Sequence, residues 1–118
     1  WKDYHKEVGE IMTAELLGLR LLDKADVQNQ DPENPAYKKY FMHGTSHHIG
    51  LDTHDYGLLH LPMEANMVFT VEPGIYIPEE GFGVRLEDDV VIQAQSSPLN
   101  LMGNIPIEIE EIERLMQG

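Results

Sequence analysis

The sequence predicts an α+β fold in which antiparallel strands pack with an N-terminal and a C-terminal helix. Three observations lead to this prediction. Apolar residues recur at helical intervals near the start of the chain, two β-branched stretches flank a run of turn-forming residues, and helical spacing returns at the end. With 118 residues, the chain has the length of one small domain.

The first element, residues 2–22, is predicted to be an amphipathic helix because its apolar residues follow one another in steps of three and four. These residues are Tyr4, Val8, Ile11, Met12, Ala14, Leu19 and Leu22. Residues 23–37 are rich in Asp, Asn and Pro, which predicts a loop or a broken continuation of the helix. A short helical turn is expected over residues 36–42.

Two strands are predicted in the second half of the chain, at residues 67–77 and 83–93. The first is β-branched and aromatic, and the second alternates apolar with polar residues. The segment PEEGFG between them supplies turn residues, so we expect an antiparallel hairpin. A break at SSPLN then precedes the final helix, which has a proline near its start and an apolar side formed by Ile109, Ile112, Leu115 and Met116.

Composition and charge exclude several classes of function. Acidic side chains outnumber Lys and Arg by 21 to 8, and the net charge of -13 repels phosphate backbones, which argues against nucleic-acid binding. No apolar run is long enough to cross a bilayer, so no membrane partner is expected. The absence of cysteine excludes disulfides and thiolate metal sites and fits a reducing compartment, from which we expect a cytoplasmic protein.

Two carboxylates in the predicted strands require compensation. Glu72 lies in an apolar stretch where a bare carboxylate would be unfavourable to bury. The two-residue period of a strand puts Glu72 and Tyr76 on one face, and puts Arg85 and Glu87 on one face of the next strand. A metal ion or a cation could compensate the carboxylates, and a purely structural Arg–Glu pair is the alternative.

The segment HGTSHHIGLDTHD, residues 43–55, contains four of the six histidines. Its glycines disfavour a helix, and on an extended path His47 and His48 point to opposite sides, so that one of the two can face a shared site. An imidazole with two carboxylates suits manganese, zinc, iron or cobalt. A loop of hydrogen-bonding histidines is the alternative, and His5 and His60 are interpreted in that way.

The segments HGTSHHIGLDTHD, TVEPGIYIP and GVRLEDDVVI, in this order, resemble signature blocks of the Xaa-Pro aminopeptidases. This aminopeptidase P family, with the related prolidases, has the pita-bread fold. The resemblance implies that His47 is a ligand of one metal ion and that Glu72 is a ligand that also passes a proton. It implies that Glu87 bridges two metal ions.

The resemblance also assigns residues around the metal site. It implies that His43 and His54 face the substrate, with His54 placed to donate a hydrogen bond to the scissile carbonyl as it becomes an oxyanion. Arg85 matches a positively charged residue that lies near the metal ligands and does not bind the metal itself. The implied cofactors are two divalent metal ions, which we expect to be Mn²⁺, with Zn²⁺ and Co²⁺ as alternatives.

The function that the resemblance implies is metal-dependent hydrolysis of the bond between an N-terminal residue and a following proline. The expected partner is a peptide with proline at its second position. Prolidase, which cleaves Xaa-Pro dipeptides, is one alternative, and Ser46 before His47 favours the aminopeptidase over it. A catalytically silent pita-bread module that binds proteins is the other, and the retention of all three ligand positions with Arg85 disfavours it.

One part of the family pattern is missing. The dinuclear site of the family takes two further aspartates from an upstream strand, and no aspartate of this sequence lies on an apolar strand in the required order. Residues 1–118 are therefore expected to be the C-terminal part of a catalytic domain whose upstream half is absent. We expect the isolated chain to be inactive and to form homo-oligomers through apolar surface that the other half would cover.

Overall fold

The structure is a computed structural model that describes residues Trp1–Gly118. Its α-helices are α1 (Lys2–Gly18), α2 (Lys24–Gln28) and α3 (Ile109–Met116), and short 3-10 helices span Ala36–Lys39 and Pro78–Glu80. Its strands are β1 (Val68–Val71), β2 (Gly74–Ile77), β3 (Phe82–Arg85), β4 (Asp88–Val91) and β5 (Leu99–Asn100). All strand pairs are antiparallel, so the predicted α+β class is confirmed. None of the helices combines the length and the apolar character that a membrane span requires.

Helix α1 ends at Gly18, earlier than the predicted limit at residue 22. The backbone N–H groups of Leu21 and Leu22 both donate to the carbonyl of Leu16, and Arg20 takes a left-handed conformation with φ of 60°. These bonds turn the chain back on the helix end, as carbonyl-capping turns do. The apolar Leu22 is buried by the turn and not by a further helical turn.

Each predicted long strand is divided in two by a short gap. Strand β1 pairs with β4, and β2 pairs with β3. The register is the same on both sides of the gap, since Val71 lies opposite Asp88 and Gly74 lies opposite Arg85. Pro73 has no N–H to donate to a sheet, which accounts for the interruption on its strand. The shared register places positions 72 and 87 opposite one another within the gap.

The turn of the hairpin agrees with the prediction, and the segment that follows the hairpin does not. The predicted turn is present, with Gly81 in the left-handed region at φ of 71° after the 3-10 helix Pro78–Glu80. The segment interpreted as a break after residue 95 contains strand β5, which pairs with β4. A two-residue strand gives no alternation that a sequence pattern could reveal.

The histidine-rich segment covers the other edge of the hairpin. The N–H of Glu72 donates to the carbonyl of Thr45, at 2.8 Å, and the N–H of Thr70 donates to the carbonyl of His47, at 3.0 Å. Further along, the N–H of Tyr76 donates to the carbonyl of Tyr40, at 2.8 Å. Residues 40–49 thus run beside β1 and β2, which brings His47 next to Glu72.

The core lies between α1, the 3-10 helix Ala36–Lys39 and strand β2. Its buried members are Leu16, Leu22, Tyr37, Tyr40 and Phe41, with Ile75 and Ile77 packed against them. Ile11 and Leu19, which helical spacing assigned to the buried side of the first helix, are exposed. The final helix forms as predicted, but its apolar residues Ile109, Ile112, Leu115 and Met116 are also exposed. Apolar surface on both terminal helices therefore faces outward in this chain.

Replacing Phe41 with Ala is expected to lower the free energy of unfolding by about 3–5 kcal/mol, because it removes a ring that is fully buried in the core. The neighbouring Met42 is 54% exposed, and Met42→Ala is expected to change the free energy of unfolding by about 0.5 kcal/mol or less. Urea denaturation of both variants checks this. Equal losses would contradict the assignment of Phe41 to the core.

Candidate metal centre

Three side chains converge where the strands are interrupted. His47, Glu72 and Glu87 each offer one nitrogen or oxygen atom, and these atoms lie within 4.8 Å of one another. His47 Nε2 lies 3.2 Å from Glu72 Oε1. The side chains of His47 and Glu72 are 19% and 13% exposed, and that of Glu87 is 38% exposed. The cluster is therefore shielded on one side and open to solvent on the other.

The backbone explains this convergence. Glu72 and Glu87 occupy opposed positions in the gap of the hairpin. His47 is held beside them because its own segment bonds to the edge of β1 through Thr70. The ring of His48 points the other way and lies against Phe69, with 4.3 Å between ring centroids. The opposite directions expected for the adjacent histidines are thus present in the structure.

The orientation of His47 fixes which nitrogen faces the carboxylates. Its Nδ1 lies 2.8 Å from the backbone carbonyl of His48, and a carbonyl only accepts hydrogen bonds, so Nδ1 carries a proton. In the neutral ring, Nε2 is then a bare acceptor that faces the acceptor Oε1 of Glu72. A proton or a metal ion must lie between two such atoms. Neighbouring ligands of an octahedral ion with bonds of about 2.1 Å are separated by about 3.0 Å, so the observed spacing fits a shared ion.

Arg85 supplies one positive charge to this cluster. Its guanidinium lies 3.1 Å from Glu87 Oε2 and 3.8 Å from Glu72 Oε2. Hydrogen bonding to Tyr76 and the charge of Glu87 raise the pKa of Arg85. The Arg–Glu pair considered as an alternative is therefore present, but a single guanidinium balances only one of two carboxylates. The second negative charge, next to His47, leaves room for a further cation.

Thr70 links the backbone of His47 to the Glu72 carboxylate. Its hydroxyl accepts a hydrogen bond from the N–H of His47, at 3.1 Å, and donates to Glu72 Oε1, at 3.2 Å. Thr70 is fully buried. Thr70 was not among the predicted site residues. Its polar side chain two positions before Glu72, on the same strand face, is the signal that could have indicated it.

His43 and His54 are not among the three converging side chains. His43 Nδ1 lies 2.8 Å from the carbonyl of Gly44, so the other ring nitrogen, Nε2, is free to accept a hydrogen bond from the Tyr76 hydroxyl, at 2.9 Å. His43 thus reaches the carboxylates only through Tyr76 and Arg85. The exposed ring of His54 lies beside that of His47, with 4.4 Å between centroids.

The loop that carries His54 is closed by Asp55. The Asp55 carboxylate accepts hydrogen bonds from the backbone N–H groups of Tyr56 and Leu51, at 2.7 and 2.8 Å, and these bonds lower its pKa. The Asp55 N–H donates to the carbonyl of His48 at 3.0 Å. The exposed His54 is therefore held on a loop of defined shape.

Comparison with known proteins identifies the family. Residues 1–94 match the sequence profile of metallopeptidase family M24, and the chain belongs to this family. Membership of a metallopeptidase family implies divalent metal ions, and the group formed by His47, Glu72 and Glu87 is suited to hold one.

Xaa-Pro aminopeptidases are among the relatives. The chain is 42% identical over 118 residues to Xaa-Pro aminopeptidase 3 of Homo sapiens, covering 88% of this chain and 23% of that protein. It is 43% identical over 122 residues to Xaa-Pro aminopeptidase of Escherichia coli K12, covering 93% and 27%. The chain therefore spans about a quarter of the length of these relatives.

Solved structures show the same architecture. Aminopeptidase PepP of Pseudomonas aeruginosa matches with a TM-score of 0.82 at 35% identity, over 99% of this chain and 29% of that one. Icp55 of Saccharomyces cerevisiae, solved with the inhibitor apstatin, matches with a TM-score of 0.76 at 32% identity, over 99% and 29%. The expected pita-bread architecture is confirmed by this likeness.

Proposed function

We propose that residues 1–118 form the C-terminal part of the catalytic domain of an Xaa-Pro aminopeptidase and supply three of its metal ligands. The observation that carries the proposal is the approach of His47 Nε2 to Glu72 Oε1, at 3.2 Å, with Glu87 in the opposed position. Relatives that are named Xaa-Pro aminopeptidase and are about 40% identical support the substrate class. The substrate is a peptide with proline at its second position.

The donor set fits two divalent ions. An imidazole nitrogen with carboxylate oxygens suits Mn²⁺, which we propose as the native ion, with Zn²⁺ and Co²⁺ as alternatives. His47 would hold one ion, Glu72 would hold an ion through a carboxylate oxygen, and Glu87 would bridge the two. When bound, the ions supply polarisation of the scissile carbonyl and activation of water.

The other residues of the cluster position groups and move protons. Thr70 holds Oε1 of Glu72, and Arg85 lies near Oε2, so that the carboxylate is fixed in an orientation from which it can take up and release a proton. We propose that His54, which is exposed beside His47, donates a hydrogen bond to a carbonyl oxygen as negative charge develops on it. His43 faces the substrate from the side of Tyr76.

The proposal requires residues outside this chain. Three side chains are fewer than a two-ion site needs, and the chain spans about a quarter of its relatives. We propose that the remaining carboxylate ligands come from an upstream part of the same enzyme, and that the isolated chain is inactive. We propose that the enzyme is cytoplasmic, supported by the lack of cysteine, and that the isolated chain forms homo-oligomers through apolar surface such as the exposed side of α3.

The test is a peptidase assay of the full-length enzyme after removal of metal and addition of Mn²⁺, Zn²⁺ or Co²⁺. A tripeptide and a dipeptide with proline second are compared with the same tripeptide carrying alanine second. Metal-dependent cleavage of the proline tripeptide, with little cleavage of the alanine peptide, is the expected result. Cleavage of the dipeptide alone would indicate prolidase, and cleavage of none would indicate a silent binding module.

Replacing Thr70 with Val in the full-length enzyme is expected to weaken Mn²⁺ binding by about tenfold to a hundredfold, because the bond that holds Glu72 Oε1 is lost. Val keeps the shape of the buried side chain, so folding should be retained. Competition with a chelating dye measures the affinity. Thr53→Val, at an exposed threonine, is the matched control. Equal affinities in the two variants would show that Thr70 does not orient the ligand.

A further inference from the structure

His5, on the first turn of α1, contacts the histidine-rich segment from outside the metal cluster. Its Nδ1 lies 2.7 Å from the hydroxyl of Thr45, and Thr45 is fully buried between His43 and His47 in the sequence. Burial, followed by the positive charge of Lys38, lowers the pKa of His5, which favours a neutral ring at neutral pH. The two residues are 40 positions apart, so this bond joins distant parts of the chain.

A second contact from the same helix end reinforces the first. The indole of Trp1 stacks on the His5 ring, with 4.7 Å between centroids and 11° between planes. The Trp1 Nε1–H donates to the backbone carbonyl of Ser46, at 3.0 Å. The residue before the helix and its first turn therefore hold two consecutive residues of the segment that leads into His47.

Thr45 is bonded to the backbone of Glu72, so the contacts made by Trp1 and His5 also restrain this residue of the cluster. The backbone carbonyl of Thr45 accepts the N–H of Glu72, at 2.8 Å. Two residues later, the N–H of His47 donates to the Thr70 hydroxyl, which itself donates to Glu72. A displacement of Thr45 would therefore move the backbone of Glu72. It would also disturb the hydrogen bonds that run from the His47 N–H through the Thr70 hydroxyl to Glu72.

We propose that His5 is a positioning residue for Glu72 and His47, acting through the hydroxyl of Thr45. The inference rests on the proposed function in so far as these two side chains are taken as metal ligands. The coupling itself, from His5 through Thr45 to the backbone of Glu72, is independent of that function.

The test uses the full-length enzyme and four single replacements. His5→Ala removes the bond to Thr45, and His5→Asn restores it because the Asn amide occupies nearly the place of Nδ1. Thr45→Val removes the same bond from the other side without leaving a large cavity. His60→Ala is the matched control, since it removes an exposed histidine.

Two measurements are made on each variant. The first is Mn²⁺ affinity, which is expected to fall by about tenfold in His5→Ala and Thr45→Val. The second is amide hydrogen exchange of residues 70–74 in the metal-free protein, read by mass spectrometry against residues 90–93. Exchange of the Glu72 amide should accelerate by about tenfold in both variants, and His5→Asn and His60→Ala should match the wild type.

The double variant His5→Ala with Thr45→Val separates a shared pathway from general damage. If His5 acts through Thr45, the double variant is no worse than Thr45→Val alone. Additive losses, a failure of His5→Asn to restore exchange, or unchanged exchange in Thr45→Val would each overturn the inference. If His47→Ala left Mn²⁺ affinity unchanged, the proposed metal site would fail, and the exchange of the Glu72 amide would still decide whether His5 positions this residue.

Discussion

Replacing Glu87 with Gln in the full-length enzyme is expected to nearly abolish turnover. Glu87 lies opposite Glu72 across the gap in the hairpin and is 3.1 Å from Arg85. An amide has the same shape as the carboxylate, but it carries no negative charge and one of its two heteroatoms cannot accept. It therefore cannot bridge two cations, and the rate loss should exceed the roughly hundredfold to thousandfold loss caused by removing a single transition-state donor.

Cleavage of a proline-containing tripeptide and metal content by elemental analysis check this result together. Glu80→Gln, at an exposed glutamate in the hairpin turn, is the control for the loss of one negative charge. A Glu87→Gln enzyme that retained both its metal and its rate would exclude Glu87 from the site.

Replacing His54 with Ala is expected to lower kcat by about a hundredfold while metal content stays unchanged. The ring is exposed and lies against that of His47, so it is accessible to a substrate and is not one of the three converging side chains. Its loss removes one donor to the developing oxyanion, for which about a hundredfold is the lower end of measured effects. Steady-state kinetics with metal analysis separates the two quantities.

His54→Gln retains a hydrogen-bond donor and should recover part of the rate. His60→Ala, at an exposed histidine of the same region, should leave the rate unchanged. Loss of metal in His54→Ala would mean that this imidazole holds an ion or supports His47, and not the substrate.

The sequence was sufficient for the main helices and the hairpin and, together with the family resemblance, for the cluster. Helix α1, the hairpin and helix α3 follow from periodicity, and the pairing of Glu72 with Glu87 follows from two strands joined by a short turn. The opposite directions of His47 and His48 follow from the geometry of an extended chain. These features depend on residues that are close in sequence or on one strand pair, whereas the approach of His47 to the two carboxylates was implied by the family resemblance.

Features that depend on distant contacts were not predicted. Thr70 and His5 act through hydrogen bonds across 23 and 40 positions, and neither residue differs in type from a surface residue. Ile11 and Leu19 lie at helical spacing yet are exposed, because helical spacing defines a face without stating what covers it. Both strands are interrupted where Pro73 lacks the N–H that would bond to the opposite strand. The residue pattern of one strand alone does not reveal this effect on the other.

The unchanged register across the gap means that backbone geometry sets the separation of the two carboxylates. Opposed positions of an antiparallel pair keep their Cβ atoms about 4.5–5.5 Å apart, whatever the residues at the tip of the hairpin. The dimension of the site is thus a property of the strand pairing, and the turn Pro78–Glu80 can change in composition without altering it. A one-residue slip, in contrast, would turn one of the two carboxylates to the opposite face of the sheet. Selection on this hairpin should therefore tolerate substitutions at its tip and reject single-residue insertions in its arms.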